Sequence, residues 1–155
     1  MSRYAFITGT GQTEYSKKID RSAEQLAIEA TLAAAADAGI APHDIDGLIN
    51  YPGHIGDDTI IFNLDLPHVR FRATIDIGGA SAVSALRLAS MAVMAGAANH
   101  ILLFRALKGS SGLRKNMRPS HLPGLNLREQ LEWTHGLNTP AQRYSLLCQR
   151  YKHEH

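Results

Sequence analysis

Cysteine is nearly absent: Cys148 is the only one in 155 residues. An internal disulfide is therefore excluded, and a reducing compartment is the natural setting. Neither charge sign dominates. The 16 Lys and Arg against 14 Asp and Glu leave a net charge of +2, too little for a broad field directed at nucleic acid or an anionic membrane. Aromatic residues, at 6%, are too sparse to interleave with a basic face as single-strand binding requires. Apolar runs of membrane-spanning length are also missing. The longest mostly apolar stretch, residues 80–98, is rich in Ala and Ser, contains Arg87, and reads as a buried helix. The start, Met1-Ser2-Arg3-Tyr4, lacks the apolar core of a signal peptide. A soluble, cytoplasmic protein is the expectation, and an apolar content of 45% suffices for one globular core.

Strand and helix patterns alternate along the chain. Residues 4–8 read as a first strand, closed by Gly9-Thr10-Gly11. Ser22 with Gln25 forms a capping box that opens an Ala-rich helix, stopped by Gly39 with Pro42 beyond. A short strand follows at residues 48–51, then a short helix at 59–64. Ala73-Thr74-Ile75-Asp76-Ile77, the small-residue turn Gly78-Gly79-Ala80, an apolar helix over 83–94 and the run Ile101-Leu102-Leu103-Phe104 make a βαβ unit. In that helix Val83, Leu86, Leu88, Met91, Val93 and Met94 share no single stripe. One sheet layer cannot cover such a helix, so the pattern predicts self-association or a covering partner. Residues 108–127 shift to Gly, Ser, Pro and basic residues. A last helix opens at Thr139-Pro140 with Gln142 and carries an amphipathic stripe of Tyr144, Leu147, Cys148 and Tyr151. The class is α/β, with a parallel or mixed sheet.

Chemistry-bearing candidates are few. Gly9-Thr10-Gly11 follows a strand, but Glu14 replaces the third glycine of a dinucleotide turn and the helix begins too late. A strand-ending turn fits better. Ser81 and Ser84 lack the nucleophile-elbow pattern, and Ser81 reads as a helix N-cap. Cys148 reads as a small core residue. The histidines are scattered, and His54 with Asp57 and Asp58 reads as a solvated loop; no metal site is implied. Arg114, Lys115 and Arg118 follow Gly109-Ser110-Ser111-Gly112 in a flexible basic loop suited to phosphate, or simply to solvent.

The turn at Gly78-Gly79-Ala80-Ser81, together with Ala5-Phe6-Ile7-Thr8-Gly9, Arg21-Ser22-Ala23-Glu24-Gln25, Asp44-Ile45-Asp46-Gly47-Leu48, Ala95-Gly96-Ala97-Ala98 and Thr139-Pro140-Ala141-Gln142-Arg143-Tyr144, resembles in order the N-terminal half of the thiolase superfamily. The likeness is nearest to its sterol-carrier/lipid-transfer branch. It implies a βαβαβ half with a mixed sheet and a central buried helix. Residues 1–107 would form that half and residues 108–155 a loop region and amphipathic helix, with the C-terminal half absent. It also implies an acyl-CoA as substrate, with no other cofactor, and a CoA-contacting loop at about Arg114, Lys115 and Arg118. A dimer or a partner subunit would complete the assembly. The family's acylated cysteine aligns with Gly79, so no catalytic residue is assigned on this chain. By the same resemblance, the remaining catalytic groups belong to the absent half.

Three functions stay open: an acetyl-CoA acetyltransferase or lipid-transfer protein of thiolase type, an acyl-CoA retro-aldolase of steroid side-chain degradation, and a non-catalytic lipid-carrier or scaffold subunit. The first is the reading the broad family favours. The other two account better for the missing thiol.

Overall fold

A computed structural model describes residues 4–51, 53, 55–108, 131–132, 134–137 and 140–155. It divides into two compact units, Met1–Lys108 and Gly109–His155.

In the first unit, helix α1 spans Ala23–Ala38 and begins as the sequence dictates. The Ser22 hydroxyl accepts the Gln25 N–H at 3.2 Å, and the Gln25 side chain accepts the Ser22 N–H at 2.8 Å. Two otherwise unpaired donors are thereby satisfied. At the other end Gly39 takes a left-handed φ of 68°. Its N–H reaches the Ala36 carbonyl while the Ile40 N–H reaches Ala35, a glycine-terminated stop.

Strands β1 (Gly47–Asn50), β2 (Phe71–Thr74) and β3 (Ile101–Phe104) form a parallel sheet in the order β2-β1-β3. Helix α2 (Asp57–Asn63) connects β1 to β2, and α3 (Ser81–Met94) connects β2 to β3. The two connections step across the sheet in opposite directions. With right-handed crossovers, α2 and α3 must therefore lie on opposite faces. The burial follows suit. All four residues of β1 are buried, as befits a central strand covered on both sides. Leu48 packs with Ala27 of α1, Ile60 of α2, Ile45, Leu66 and Phe104 in one cluster. Ile49, equally buried, points to the other face by strand alternation.

Residues 4–8 are not a strand. The segment joins no ladder, and Tyr4, Phe6 and Ile7 are exposed. Its continuation is pressed against α1 instead. A Cβ on Gly9 would stand 2.4 Å from the Ala34 carbonyl oxygen, and one on Gly11 would stand 2.1 Å from that of Ala30. The Thr10 N–H is held by the Asp37 carboxylate at 2.8 Å. These two glycines serve contact between chain and helix, not a phosphate turn.

Helix α3 buries only Ser81, Ala85 and Ala92. Val83 is 75% exposed, Leu86 43%, Met91 53% and Met94 45%. The sheet thus covers one side of a helix whose other side is also apolar.

In the second unit α4 spans Pro140–Glu154. Proline opens it, as expected; Thr139 lies outside the described residues. Tyr144, Leu147, Cys148 and Tyr151 are all exposed. Cys148 is therefore not a core residue in this chain, because no described element covers the stripe. The Arg143–Glu132 ion pair, at 2.5 Å, links α4 to the residues before it.

One carboxylate ties the three strands together at their N-terminal ends. Asp46 accepts the backbone N–H of His100 at 2.8 Å and of Asn99 at 2.8 Å, and the Arg70 guanidinium at 2.6 Å. Its own carbonyl accepts the Arg70 N–H at 2.8 Å. Burial, the largest influence, works against the charge. The donors from His100, Arg70 and Asn99 together outweigh it and hold the carboxyl below its ordinary value of 3.8. A lowered folded value means that the stabilisation is complete above the ordinary value and fades as pH falls below it. We expect Asp46→Ala to cost about 2–3 kcal/mol in urea unfolding at neutral pH, and the penalty to shrink as the pH is taken below about 4.

Candidate functional site

Adjacent strands β1 and β2 send their connections to opposite faces, which opens a crevice beyond their C-terminal ends. Ligand sites of open α/β sheets form at such a switch point. Here it is bounded by Asn50, the last residue of β1, by Thr74, its register partner on β2, and by the turn Gly78–Ala80 that leads into α3.

Asn50 is the pivot of this end. Its backbone carbonyl accepts the Ile75 N–H at 2.9 Å, so the pairing continues one step past β2. Its side-chain amide donates to Asp57 at 2.8 Å. Asn50 and Asp57 are each only 8% exposed, and burial without a partner would be costly for either. The other Asp57 oxygen takes Arg72 Nε at 3.3 Å, while Arg72 Nη2 reaches Asp58 at 2.9 Å. The bond from Asp57, with Asp58 beside it, keeps the Arg72 guanidinium more firmly protonated than usual. Asp57 is thus buried and paired, with Arg72 and Asp58 at the surface of the network, and is not part of a solvated loop. Only the fold could reveal this, because Arg72 lies fifteen positions away and no local spacing joins the two. Of the neighbouring residues, His54 lies outside the described ones. Among the described residues no group of three or more His, Cys, Asp or Glu is close enough to hold a metal ion.

The loops after β1 and β3 also approach each other here. The Arg105 guanidinium stands 5.1 Å over the Tyr51 ring. Gly53 lies so near Ala106 that a Cβ would come within 2.5 Å of its carbonyl oxygen.

Gly79 sits in the middle of the 3-10 turn Gly78–Ala80, directly before α3. Nothing lies within 4 Å of where its Cβ would be, so this chain leaves room for a side chain at the aligned nucleophile position. Ser81 does not cap α3. Its hydroxyl instead accepts the Ile77 N–H at 3.0 Å, which closes the turn from outside, and the N-cap residue is Ala80. Arg114, Lys115 and Arg118 lie outside the described residues. A hollow of about 230 Å³ opens at Thr10, Gly11 and Gln12, the described residues that line it.

The two turn glycines have different reasons to be glycine. Gly78 has a φ of +65°, whereas Gly79 does not fall in that region. Gly78→Ala is expected to cost about 1–2 kcal/mol in thermal or urea unfolding. Gly79→Ala is expected to leave stability unchanged or to raise it by up to about 1 kcal/mol.

No protein-family model matches the chain. It is 35% identical over 159 residues to a steroid side-chain-cleaving aldolase of Thermomonospora curvata, covering 97% of this chain and 40% of that protein. It is 32% identical to a 17-hydroxy-3-oxo-4-pregnene-20-carboxyl-CoA lyase of Mycobacterium tuberculosis, covering 99% of this chain and 41% of the lyase. The chain thus spans about two fifths of the curated relatives it matches. Among solved structures, an Ltp2-ChsH2(DUF35) aldolase superposes with a TM-score of 0.78 at 34% identity, over 96% of this chain and 37% of its own. An acetyl-CoA acetyltransferase of Syntrophomonas wolfei superposes with a TM-score of 0.53 at 23% identity, over 66% of this chain and 28% of its own. A 3-oxoacyl-[acyl-carrier-protein] synthase III of Aquifex aeolicus does so with a TM-score of 0.52 at 20% identity, over 65% and 34%. The last two speak to fold alone. The fold is that of a thiolase-like half.

Proposed function

We propose that this thiolase-like chain is the N-terminal part of an acyl-CoA retro-aldolase acting on a β-hydroxyacyl-CoA of the steroid side-chain type. The observation that carries the reading is glycine at position 79, in a turn with room for a side chain, on a chain that aligns almost end to end with proteins named aldolase and lyase. An acyltransferase that proceeds through a covalent acyl-enzyme needs a nucleophile at that place. A retro-aldol cleavage does not. A base takes the β-hydroxyl proton, the bond between the α and β carbons breaks, and its electron pair passes into the thioester as an enolate. Protonation of the enolate gives a shortened acyl-CoA beside a new carbonyl compound. The positive end of α3 at the Gly78–Ala80 turn suits the developing enolate oxygen. The base comes from outside this chain. Arg114, Lys115 and Arg118 contact the phosphates of CoA. The acetyltransferase and lipid-transfer reading has less support, since the acetyl-CoA acetyltransferase it superposes on is 23% identical, against 35% and 32% for the aldolase and the lyase.

The test uses the complete protein with its remaining portion and any partner subunit. Incubated with a hydroxylated steroid acyl-CoA, it is expected to release a ketone and a shortened acyl-CoA, with no mass added to the peptide of residues 78–84. An acyl adduct there would overturn the reading. In the same assay, neutralising Arg114, Lys115 and Arg118 together is expected to raise KM about tenfold at low salt, and by less as ionic strength screens the phosphates.

The bare apolar side of α3 bears on assembly. Val83, Leu86, Met91 and Met94 make a surface that monomers seldom expose. In the complete protein we place the rest of the polypeptide or a partner subunit over it. This chain alone is then expected to sediment as a dimer or larger at micromolar concentration, and Val83→Lys with Leu86→Lys is expected to return it to a monomer. A monomeric, cooperatively unfolding wild-type chain would refute the covered-face arrangement.

A further inference from the structure

We infer that Asp57 and Arg72 are positioning residues for the Gly78–Ala80 turn, acting through Asn50; the role in turnover, though not the structural coupling, rests on the aldolase reading above. Hydrogen bonds and short covalent steps of the backbone lead from one to the other. Arg72 joins Asp57 and Asp58 at the start of α2. Asp57 fixes the Asn50 amide, and the Asn50 carbonyl holds the Ile75 N–H. Two residues on, the Ile77 N–H is held by Ser81, and directly after it Gly78 takes its left-handed conformation. The turn itself meets little: no atom lies within 4 Å of where a Cβ on Gly78 or Gly79 would stand. Its direction is therefore set by its two anchored ends rather than by packing around it.

The chemistry of the network supports a placing role over a merely stabilising one. A buried carboxylate with a guanidinium and an amide on its two oxygens has a fixed orientation, and such networks behave as units. The Arg72 side chain is 47% exposed, and an ion pair so open to water adds little to stability by itself, whereas the orientation that it gives the buried Asp57 carboxylate persists. Arg72 spans two carboxylates with different nitrogens, which a lysine ammonium cannot reproduce. Arg72 also lies on β2 itself, only six positions before Gly78, so the strand that delivers the turn is clamped at its middle and at its exit. Misplacement of a reactive group by about 1 Å can cost on the order of 100-fold in rate.

The experiment compares wild type with Asp57→Asn, Arg72→Lys and Arg72→Gln in the complete protein, by amide hydrogen exchange and by steady-state kinetics. Asp57→Asn and Arg72→Gln are expected to speed exchange at residues 75–81 about tenfold or more while the amides of α1 stay as they were. Arg72→Lys is expected to give only partial rescue. Cleavage kcat is expected to fall about 10- to 100-fold with KM within about threefold. If exchange at residues 75–81 is unchanged, or rises equally in α1, the inference is overturned. If exchange responds locally but kcat per folded enzyme does not, the positioning role in turnover is overturned. If the variants respond locally in exchange yet wild type cleaves no acyl-CoA, the aldolase reading fails while the coupling of Asp57 and Arg72 to the turn stands. Should Asp57→Asn fail to fold, Arg72→Gln, read against the partial rescue by Arg72→Lys, supplies the same comparison.

Discussion

Everything in the first unit depends on how Asp46 satisfies the N-terminal ends of three parallel strands at once. A parallel sheet of four-residue strands has few ladder bonds, and each strand enters it from a different part of the chain. The Asp46 carboxylate takes the backbone donors that precede β3 and the guanidinium that precedes β2. Its own backbone then continues both pairings by one residue. Without that acceptor, the backbone N–H groups of Asn99 and His100 would lose their charged partner and the ends of β2 and β3 their common tie. The register that places Asn50 beside Thr74 at the far end is fixed by this near end.

Between the two ends of β1 lies a division of labour. Asp46 at one end secures the sheet, and Asn50 at the other organises the crevice. Leu48 and Ile49 between them fill the two faces. Strand β1 is thus a structural strand whose last residue is given to the site, which is where open α/β folds place their chemistry. Among the described residues, the outward side of α3 completes no core, and the same helix follows the turn. Here the helix that follows the candidate turn is also the one whose outer residues, Val83, Leu86, Met91 and Met94, stay exposed.

Much of this was legible in the sequence. The capping box at Ser22 and Gln25, the glycine stop at Gly39, the strand at residues 101–104 and the turn and helix after Gly78 rest on local rules, and they are as those rules require, whereas the strand read at residues 73–77 lies at Phe71–Thr74, where β1 offers its edge. What escaped depends on distant partners. Residues 4–8 have a strand's composition, yet a strand exists only where another offers its edge. Ser81 has the right type and place for a cap, but the Ile77 N–H was the nearer claimant. Asp57 looked like a solvent-facing acid until folding brought Arg72 and Asn50 to it. Cys148 lies on a clear apolar stripe, but periodicity shows only which residues would be covered together, not what covers them. The resemblance named the fold correctly, and the aldolase among its possible functions has the stronger support.

The strand order has a consequence in time as well as in space. Because β1 pairs on both sides with strands made after it, Asp46 must wait until residues 99 and 100 have been synthesised before its carboxylate finds them, 53 and 54 positions later. Sheets closed by such long loops form late and slowly. A nascent chain shorter than about a hundred residues would carry the buried core strand with one side bare, a state prone to mispairing with other chains. For this fold, the emergence of β3 from the ribosome is therefore the moment of commitment, and a pause in translation just before it would be the most hazardous.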